Sequence, residues 1–392
     1  MRALALCLLM AASAAAQIAV RGDLVYTMAG APVANGVVLI RDGKIEGVGP
    51  AAQLSVPAGY RTLRAAVVTP GLVDAHTVVG LTGWLNQPHD QEQIERSAPL
   101  QPELRAIDAY NPKDELVKFV REMGVTTIHT GHGPGALISG QTMILKTVDA
   151  PVDQTVMVRE AMVAATLGAG GKAEAGKSPG TTAKMVALLR AELIRAGEYA
   201  AKKEKPRDLR LDALARVLSR EIPLMVSVHR SRDILTALRI AKEFNIRLVL
   251  DGVAEAYDVL EPIKAAGFPV IVHPTMARAA GEAENLSMET ASKLRQAAVP
   301  FALQSGFESY VPKTRLVLFE AAAAAAHGLT KEQALAAITI DAARLLGVDK
   351  RVGSLEAGKD ADLALYDGDP FEYVTHCTGV VIDGKVVSEG RH

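Results

Sequence analysis

The sequence predicts an α/β fold: a (β/α)8 TIM-like barrel joined to a small β-sandwich domain. Two observations carry this prediction. Strands alternate with helices through the middle of the chain, and short strands cluster at both of its ends. Repeated strand–helix units with short apolar strands indicate a parallel sheet, and about eight of them favour a closed barrel. A doubly wound sheet would need a glycine-rich turn after its first strand, and Asp74-Ala75-His76 is not such a turn.

The two ends of the chain have the same strand-rich pattern. At the N-terminus, β-branched segments at 18–20, 24–26, 36–40 and 44–49 predict strands, and residues 41–44 predict a hairpin turn. At the C-terminus, segments 361–366 and 379–387 repeat the pattern, with Asp383-Gly384 as a second hairpin turn. We therefore expect residues 17–66 and 352–392 to form one composite β-sandwich domain, with the barrel at 67–351.

The middle of the chain supplies the barrel elements. Buried strands are predicted at residues 66–74, 125–129, 142–146, 224–229, 247–250, 269–273 and 301–304. Helices are predicted between several of them, at residues 182–195, 234–243, 256–266 and 316–326.

Composition and charge limit the class of partner. The chain has 392 residues, of which 49% are hydrophobic and 22% are charged, which is ordinary for a soluble globular protein. Its formal net charge is −1, and it has no long basic run. A nucleic-acid partner is therefore not expected.

Residues 1–16 predict an export signal. A positive start at Arg2 is followed by an apolar run at 3–12 and small residues at 13–16. The run is too short to span a bilayer, so we expect no transmembrane segment in the mature chain and a periplasmic or extracellular location. The alternative is a buried N-terminal helix. After cleavage Cys377 would be the only cysteine, which excludes an internal disulfide and a cysteine-based zinc cluster.

Residues 70–78 carry the most specific motif, Pro-Gly-Leu-Val-Asp-Ala-His-Thr-Val. This segment resembles the first barrel strand of the amidohydrolase superfamily, which ends in Asp-x-His-x-His. Further segments are similar to the exported imidazolonepropionase-like group of that superfamily: residues 107–112, 124–127, 138–146, 233–239, 339–347 and 353–363. The resemblance implies a divalent metal and hydrolysis of non-peptide C–N bonds in cyclic amides or dipeptide-like substrates.

The metal ligands that the resemblance implies are only partly present. They are two histidines of strand one, a lysine of strand four, single histidines of strands five and six, and an aspartate of strand eight that also acts as general base. His76 and His229 are retained as remnant metal ligands, whereas the other positions hold Val78, Ala164, Gly252 and Gly306. Two imidazoles fall short of the three protein ligands of a catalytic zinc, and loss of a general base costs ~10²–10⁴-fold in rate. We therefore expect the inherited mechanism to be lost.

Other histidines could rebuild a metal site. His129 and His273 are the candidate replacements, with His132 nearby and with Asp251 or Glu308 as a carboxylate. Zinc is then the expected metal; otherwise the chain has no cofactor. In the alternative, His129 is a core residue bonded to backbone, His132 is a solvated loop residue, and His273 ends a strand before a proline.

Two glycine-rich segments have patterns that are typical of ligand sites. Residues 131–135 and 139–141 could form an anion nest, with Gly133, Gly140 and Gln141 as ligand-binding candidates; the alternative is a tight connection between strands. Residues 171–178 match a nucleotide phosphate loop, but Pro179-Gly180 interrupts the helix that must begin there. We therefore expect no nucleotide.

Two functions remain open. The first is a metal-dependent hydrolase that works through a rebuilt site. The second is a non-catalytic binding or partner protein of the cell envelope that retains the barrel and a small-molecule pocket. Its helix ring and strand-end loops could pair with another copy or with a related barrel.

Overall fold

The computed structural model describes residues 17–84, 87–274, 279–307 and 316–392, so the predicted signal segment and Glu308 lie outside the described residues. The strands are β1 Ile18–Val25, β2 Val33–Arg41, β3 Lys44–Pro50, β4 Arg61–Pro70, β5 Leu72–Thr77, β6 Val125–Thr130, β7 Ile138–Gln141, β8 Met143–Lys146, β9 Val156–Val158, β10 Val163–Thr166, β11 Leu224–Val228, β12 Leu248–Gly252, β13 Val270–Val272, β14 Phe301–Ala302, β15 Leu363–Tyr366, β16 Cys377–Ile382 and β17 Lys385–Glu389. The helices are α1 Glu115–Glu122, α2 Val152–Thr155, α3 Thr182–Ala201, α4 Leu209–Leu218, α5 Ser231–Glu243, α6 Leu260–Ala266, α7 Thr290–Gln296, α8 Val317–Ala326, α9 Lys331–Ala337 and α10 Ile340–Leu346.

The strands of the two chain ends share one sheet. Its order is β17-β16-β15-β4-β1-β2-β3, so the hydrogen bonds give one seven-stranded sheet where the sequence predicted a sandwich. Strand β4 joins the two ends, because it pairs with β1 in parallel and with β15 antiparallel. It runs to Pro70, past the boundary predicted at residue 66, and β5 begins directly after Gly71.

The two predicted hairpins are confirmed, and their turns contact each other. Asp42 and Gly43 have φ of 50° and 80°, and Asp383 and Gly384 have 48° and 70°, as in the two-residue turn that matches strand twist. A Cβ on Gly384 would lie 2.8 Å from the Cα of Gly43. Ala361 N donates to Gly43 O at 2.9 Å, and Gly384 N donates to Ala361 O at 3.1 Å. The two turns thereby link both ends of the chain beside the sheet that they share.

The middle of the chain forms two further sheets. One has the order β14-β13-β12-β11-β10-β7, and the other has the order β5-β6-β8-β9. The successive strands from β10 to β14 pair with one another in parallel, and β5 is parallel to β6. The sheets adjoin where Ala75 N donates to Leu303 O at 3.3 Å and Gly306 N donates to His76 O at 3.1 Å.

The prediction of a wholly parallel sheet is wrong at β7 and β8. Strand β8 is antiparallel to β6, and β7 is antiparallel to β10. A parallel pairing needs a crossover of a dozen or more residues that is usually helical. The described chain between β6 and β8 contains β7 and loops but no helix, so the chain returns antiparallel.

The helices follow the predicted pattern with changes at their ends. The predicted helices at 182–195, 234–243 and 316–326 correspond to α3, α5 and α8, whereas the one at 256–266 begins only at Leu260. Side chains of Asp114, Thr181 and Asp208 accept hydrogen bonds from the first-turn amides of α1, α3 and α4. None of the helices in the described ranges is long and apolar enough to cross a membrane.

Candidate functional site

A buried polar cluster forms where β5, β11, β12 and β14 end. His76 Nδ1 lies 3.1 Å from Asp251 Oδ1, and Gln304 Nε2 donates to the same oxygen at 2.8 Å. The Ser227 hydroxyl donates to the other carboxylate oxygen. All four side chains are buried. The Asp251 carboxylate therefore accepts hydrogen bonds from three protein donors on three other strands or strand ends.

This pairing decides the charges in the cluster. Burial would raise the pKa of Asp251, but the charge of His76 and the three hydrogen bonds outweigh it and lower the pKa to about 2. Burial would lower the pKa of His76, but the Asp251 carboxylate raises it above its ordinary value. The two side chains form a buried ion pair.

Asp74 fastens the loop after β14 to the end of β5. Its carboxylate accepts hydrogen bonds from Ser305 N at 3.0 Å, from the Ser305 hydroxyl at 2.5 Å and from His76 N at 3.3 Å. Burial raises the pKa of Asp74 to about 7, against these hydrogen bonds. The aspartate of the motif therefore positions two strand ends beside each other.

His129, one candidate replacement ligand, has both ring nitrogens engaged. Its Nδ1 lies 2.7 Å from Ala75 O, and its Nε2 lies 2.6 Å from Thr142 Oγ1. Burial and the neighbouring His76 lower the pKa of His129 to about 3, so the ring is neutral. Because a carbonyl oxygen can only accept, Nδ1 donates and Nε2 accepts. His129 is the backbone-bonded core residue of the alternative interpretation.

His273 is engaged in the same way. Its Nδ1 lies 3.0 Å from Pro274 O, and its Nε2 lies 3.3 Å from Thr290 Oγ1. His132 is 7% exposed, so the expectation of a solvated loop residue is wrong; its ring packs against Gly140, within 2.8 Å of where a Cβ would stand. These bonds and contacts hold the three rings within the fold.

The two remnant histidines have open ring nitrogens. His76 Nε2 and His229 Nδ1 are buried and have no hydrogen-bond partner among the residues that the structure describes. His76 donates through Nδ1 to a carboxylate, which is how metal-binding histidines are commonly oriented. Within residues 17–84, 87–274, 279–307 and 316–392, no group of three or more His, Cys, Asp or Glu side chains is arranged to hold a metal ion. Both ring nitrogens of His132 are also buried without a partner among the described residues, but no third donor is arranged with His76 and His229 to hold a metal ion.

At two of the positions where a ligand is missing, the backbone leaves no room for a larger side chain. Gly306, at the expected aspartate, has φ +72°, and a Cβ there would lie 2.4 Å from Pro274 Cγ. A Cβ on Gly252 would lie 2.8 Å from His229 Cε1. Val78 is buried, and Ala164 packs in the apolar cluster inside the strands. A larger side chain at either glycine would therefore require its neighbours to move.

The glycine-rich loop has its amides occupied. Gly131 N donates to Thr77 O at 3.3 Å, and Gly133 N donates to Gln93 O at 2.7 Å. Gly140 and Gln141 lie in β7, and Gln141 Nε2 donates to Pro102 O at 2.8 Å. These bonds match the tight-connection alternative and leave those two loop amides engaged within the protein.

The segment that matches a phosphate loop has the wrong context. Helix α3 begins at Thr182, beyond the Lys177-Ser178 pair where a phosphate-binding helix would start. Lys177 instead pairs with Glu174 at 2.9 Å. A nucleotide site therefore has no support in this segment.

Ser227 and Gln304 are the site residues that the sequence did not reveal as partners. Gln304 was visible only as part of a segment without the expected aspartate, and Ser227 had no motif. Their common partner, Asp251, lies 24 residues from Ser227 and 53 from Gln304. The signal that the sequence offers is Asp251 itself. A carboxylate at the end of a buried strand needs hydrogen-bond donors, and these can come from any part of the chain that the fold brings close.

Comparison with known proteins identifies the family. The Amidohydrolase family pattern matches residues 67–387. Imidazolonepropionase from Shewanella oneidensis is 27% identical over 403 residues, covering 91% of this chain and 94% of that protein; imidazolonepropionase from Rhizobium rhizogenes is 26% identical over 373 residues, covering 87% and 88%.

Solved structures of similar proteins support the same family. An amidohydrolase from Thermotoga maritima has a TM-score of 0.89 and 28% identity, covering 95% of this chain and 100% of that one. A zinc-bound adenosine deaminase from Xanthomonas campestris has a TM-score of 0.56 at 16% identity, covering 95% and 92%, and shares the fold alone. Amidohydrolases typically bind a divalent metal, and their fold is a TIM barrel with an additional domain. The chain is an imidazolonepropionase-like member of the amidohydrolase family.

Proposed function

We propose that this chain binds a small cyclic amide or dipeptide-like molecule at the barrel mouth and does not carry out the metal-dependent hydrolysis of its family. One observation carries the proposal. The described site offers two open imidazole nitrogens, while its buried carboxylate already accepts hydrogen bonds from three protein donors. A catalytic zinc typically needs three protein ligands.

Recruiting Asp251 as the third ligand would disturb an existing network. If the carboxylate turned away from His76, Ser227 or Gln304, each donor left unpaired in the buried site would cost about 1–3 kcal/mol. The general base is missing as well, because Gly306 stands at its position. Both losses argue for the same outcome, which is a polar site without the inherited chemistry.

The open ring nitrogens suit an amide ligand. Burial lowers the pKa of His229, so its ring is neutral and can donate through one nitrogen and accept through the other. A cyclic amide presents both a carbonyl oxygen and an N–H to such groups. With residues 1–16 as an export signal, we assign this binding to the cell envelope, where a second copy or a related barrel is the proposed partner.

Hydrolysis of the same ligand class is the second candidate. It is favoured by the near full-length similarity to imidazolonepropionases and by the metal-like orientation of His76. The two candidates differ in the need for a metal and in the fate of the ligand.

Calorimetry with a cyclic amide probe separates the candidates. Purified protein is titrated with hydantoin in the presence of EDTA and again with added zinc, and ring opening is followed chromatographically. We expect saturable binding in EDTA and no ring opening in either condition. His229→Gln should weaken binding about tenfold through loss of one buried hydrogen bond, whereas the exposed His327→Gln serves as control and should not. Zinc-dependent ring opening would establish the second candidate, and absence of binding would overturn the first.

A further inference from the structure

A cavity lies at the end of the strands opposite to the buried polar cluster. It has a volume of about 650 Å³ and opens beside the residues that precede β12, β13 and β14, next to α7 and α10. The buried polar cluster lies where β12 and β14 end, so the two sites are distinct. Small-molecule sites commonly have volumes of about 300–1,000 Å³.

The described lining of this cavity carries more cations than anions. Its charged residues are Arg247, Arg295, Arg344 and Asp341, a formal sum of +2. Arg295 Nη2 lies 2.8 Å from Asp341 Oδ2, and Arg344 Nη1 lies 3.3 Å from Asp341 Oδ1. One carboxylate therefore serves two guanidinium groups.

The arginines retain unused hydrogen-bond donors. Arg295 Nε is buried and has no partner within the part of the chain that the structure describes. Arg247 reaches the carbonyl oxygens of Arg220 and Glu221 at 3.5 and 3.3 Å, both long for hydrogen bonds. A guanidinium group has five N–H donors in a planar fork that matches a carboxylate. The arginines of the lining therefore have more N–H donors than they have hydrogen-bond acceptors.

This charge excess is not shared by the cavity of about 400 Å³ beside α4. There the lining arginines are outnumbered by carboxylates: Arg105, Arg207 and Arg216 against Glu103, Asp108, Glu160 and Asp212. Salt bridges such as Arg207–Asp212 at 3.1 Å and Arg216–Glu221 at 2.9 Å occupy those arginines. The cavity at α7 and α10 therefore carries an excess of positive charge that the cavity beside α4 lacks.

The rest of the lining is apolar. It includes Pro269, Val299, Phe301 and Leu345. The Arg295 guanidinium lies over the Phe301 ring at 4.9 Å from its centroid, a cation–π contact. An apolar lining with a few convergent polar groups selects a ligand with the same two parts.

We propose that this cavity binds an organic carboxylate, with its apolar body against the Phe301 side and its carboxylate on the arginines. The assignment is independent of the binding site for cyclic amides, because it uses other residues at the other end of the strands. Inorganic anions supply the charge without the apolar body, and neutral aromatic amides supply the body without the charge.

Titration calorimetry at low ionic strength tests the assignment with three probes: benzoate, benzamide and inorganic phosphate. We expect benzoate to saturate a single site, and benzamide and phosphate to bind at least about tenfold more weakly. Arg344→Gln should weaken benzoate binding about tenfold. Asp341→Asn should tighten it, since the competing carboxylate is gone. Arg159→Gln is the matched control, because Arg159 is an exposed arginine paired with one aspartate elsewhere; its benzoate affinity should stay within about twofold.

The result can contradict the assignment in three ways. Benzoate that fails to saturate, or that binds Arg344→Gln and the wild type equally, overturns the site. Phosphate that binds as tightly as benzoate overturns the organic-anion assignment. Circular dichroism of each variant establishes that it is folded. The expected gain of benzoate affinity in Asp341→Asn could not result from unfolding.

Discussion

At the scale of single residues, the site is defined by which atoms already have partners. His76 and His229 were predicted from the family motif, and both have open nitrogens in the structure. The replacements His129 and His273 were not confirmed, because backbone carbonyls and threonines engage their rings. Sequence reasoning could find residue types at strand ends but not the hydrogen-bond partners that other strands supply.

Asp251→Asn tests the buried ion pair through pH. Because the folded-state pKa of Asp251, about 2, lies below the ordinary value, its stabilisation is complete above pH ~4 and disappears as pH falls towards 2. The wild type should lose about 2 kcal/mol over that interval from this group, and Asp251→Asn should lack that loss. Urea unfolding from pH 5 to 2.5 measures the difference. The exposed variant Asp153→Asn should lose as much unfolding free energy on acidification as the wild type. The same loss in Asp251→Asn would contradict the ion pair.

Gly306→Ala tests whether the expected aspartate position is closed. The substitution places a Cβ against Pro274 at φ +72° and should cost about 2–4 kcal/mol of unfolding free energy. Gly267→Ala has nearly the same φ, +71°, and open space around the Cβ, so it should cost only about 1–2 kcal/mol. Denaturant unfolding compares the two, and equal losses would mean that the contact with Pro274 carries no strain.

At the scale of elements, the sequence predicts the hairpin turns well but not the pairing of strands. The hairpin turns at Gly43 and Gly384 follow from their own two residues, so the sequence identifies them. The direction of β7 and β8 depends on which strands they meet across the sheets, and no local pattern contains that information. The same reason explains why the order of the terminal strands within one seven-stranded sheet could not be predicted from the sequence.

Gly384→Ala tests the contact between the two hairpin turns. A methyl group there would approach Gly43 Cα at 2.8 Å, in addition to the cost of φ +70°. We expect a loss of about 2–4 kcal/mol in unfolding free energy. Gly358→Ala, at φ +88° with nothing within 4 Å, isolates the conformational cost of about 1–2 kcal/mol. Thermal and urea unfolding should separate the pair, and similar losses would show that the turns move apart freely.

At the scale of the whole molecule, a buried ion cluster links β8 to the terminal sheet. Lys146 Nζ lies 2.8 Å from Asp360 and 3.1 Å from Asp362, and it also pairs with Asp383. These residues are more than 200 positions from Lys146 in sequence, so no motif could predict the cluster. The aspartates of the closing segment 353–363, found by resemblance, thereby gain a structural role.

Lys146→Met should destabilise the protein by about 3–5 kcal/mol, because Asp362 would remain buried without its cation. Lys44→Met removes another lysine that pairs with Asp360, but the Lys44 side chain is 52% exposed against 3% for Lys146. It should cost less than about 1 kcal/mol. Urea unfolding at pH 7 measures both. A small loss in Lys146→Met would mean that the cluster does not hold the two parts together.

We propose that the hydrogen-bonded cluster of His76, Asp251, Ser227 and Gln304 does not hold a catalytic metal ion. The most direct test is the zinc content of purified protein after incubation with excess zinc and desalting, measured by mass spectrometry. We predict well below one zinc per chain and an unchanged melting temperature on chelation. One or more zinc ions per chain that survive desalting and disappear in His229→Gln would contradict it.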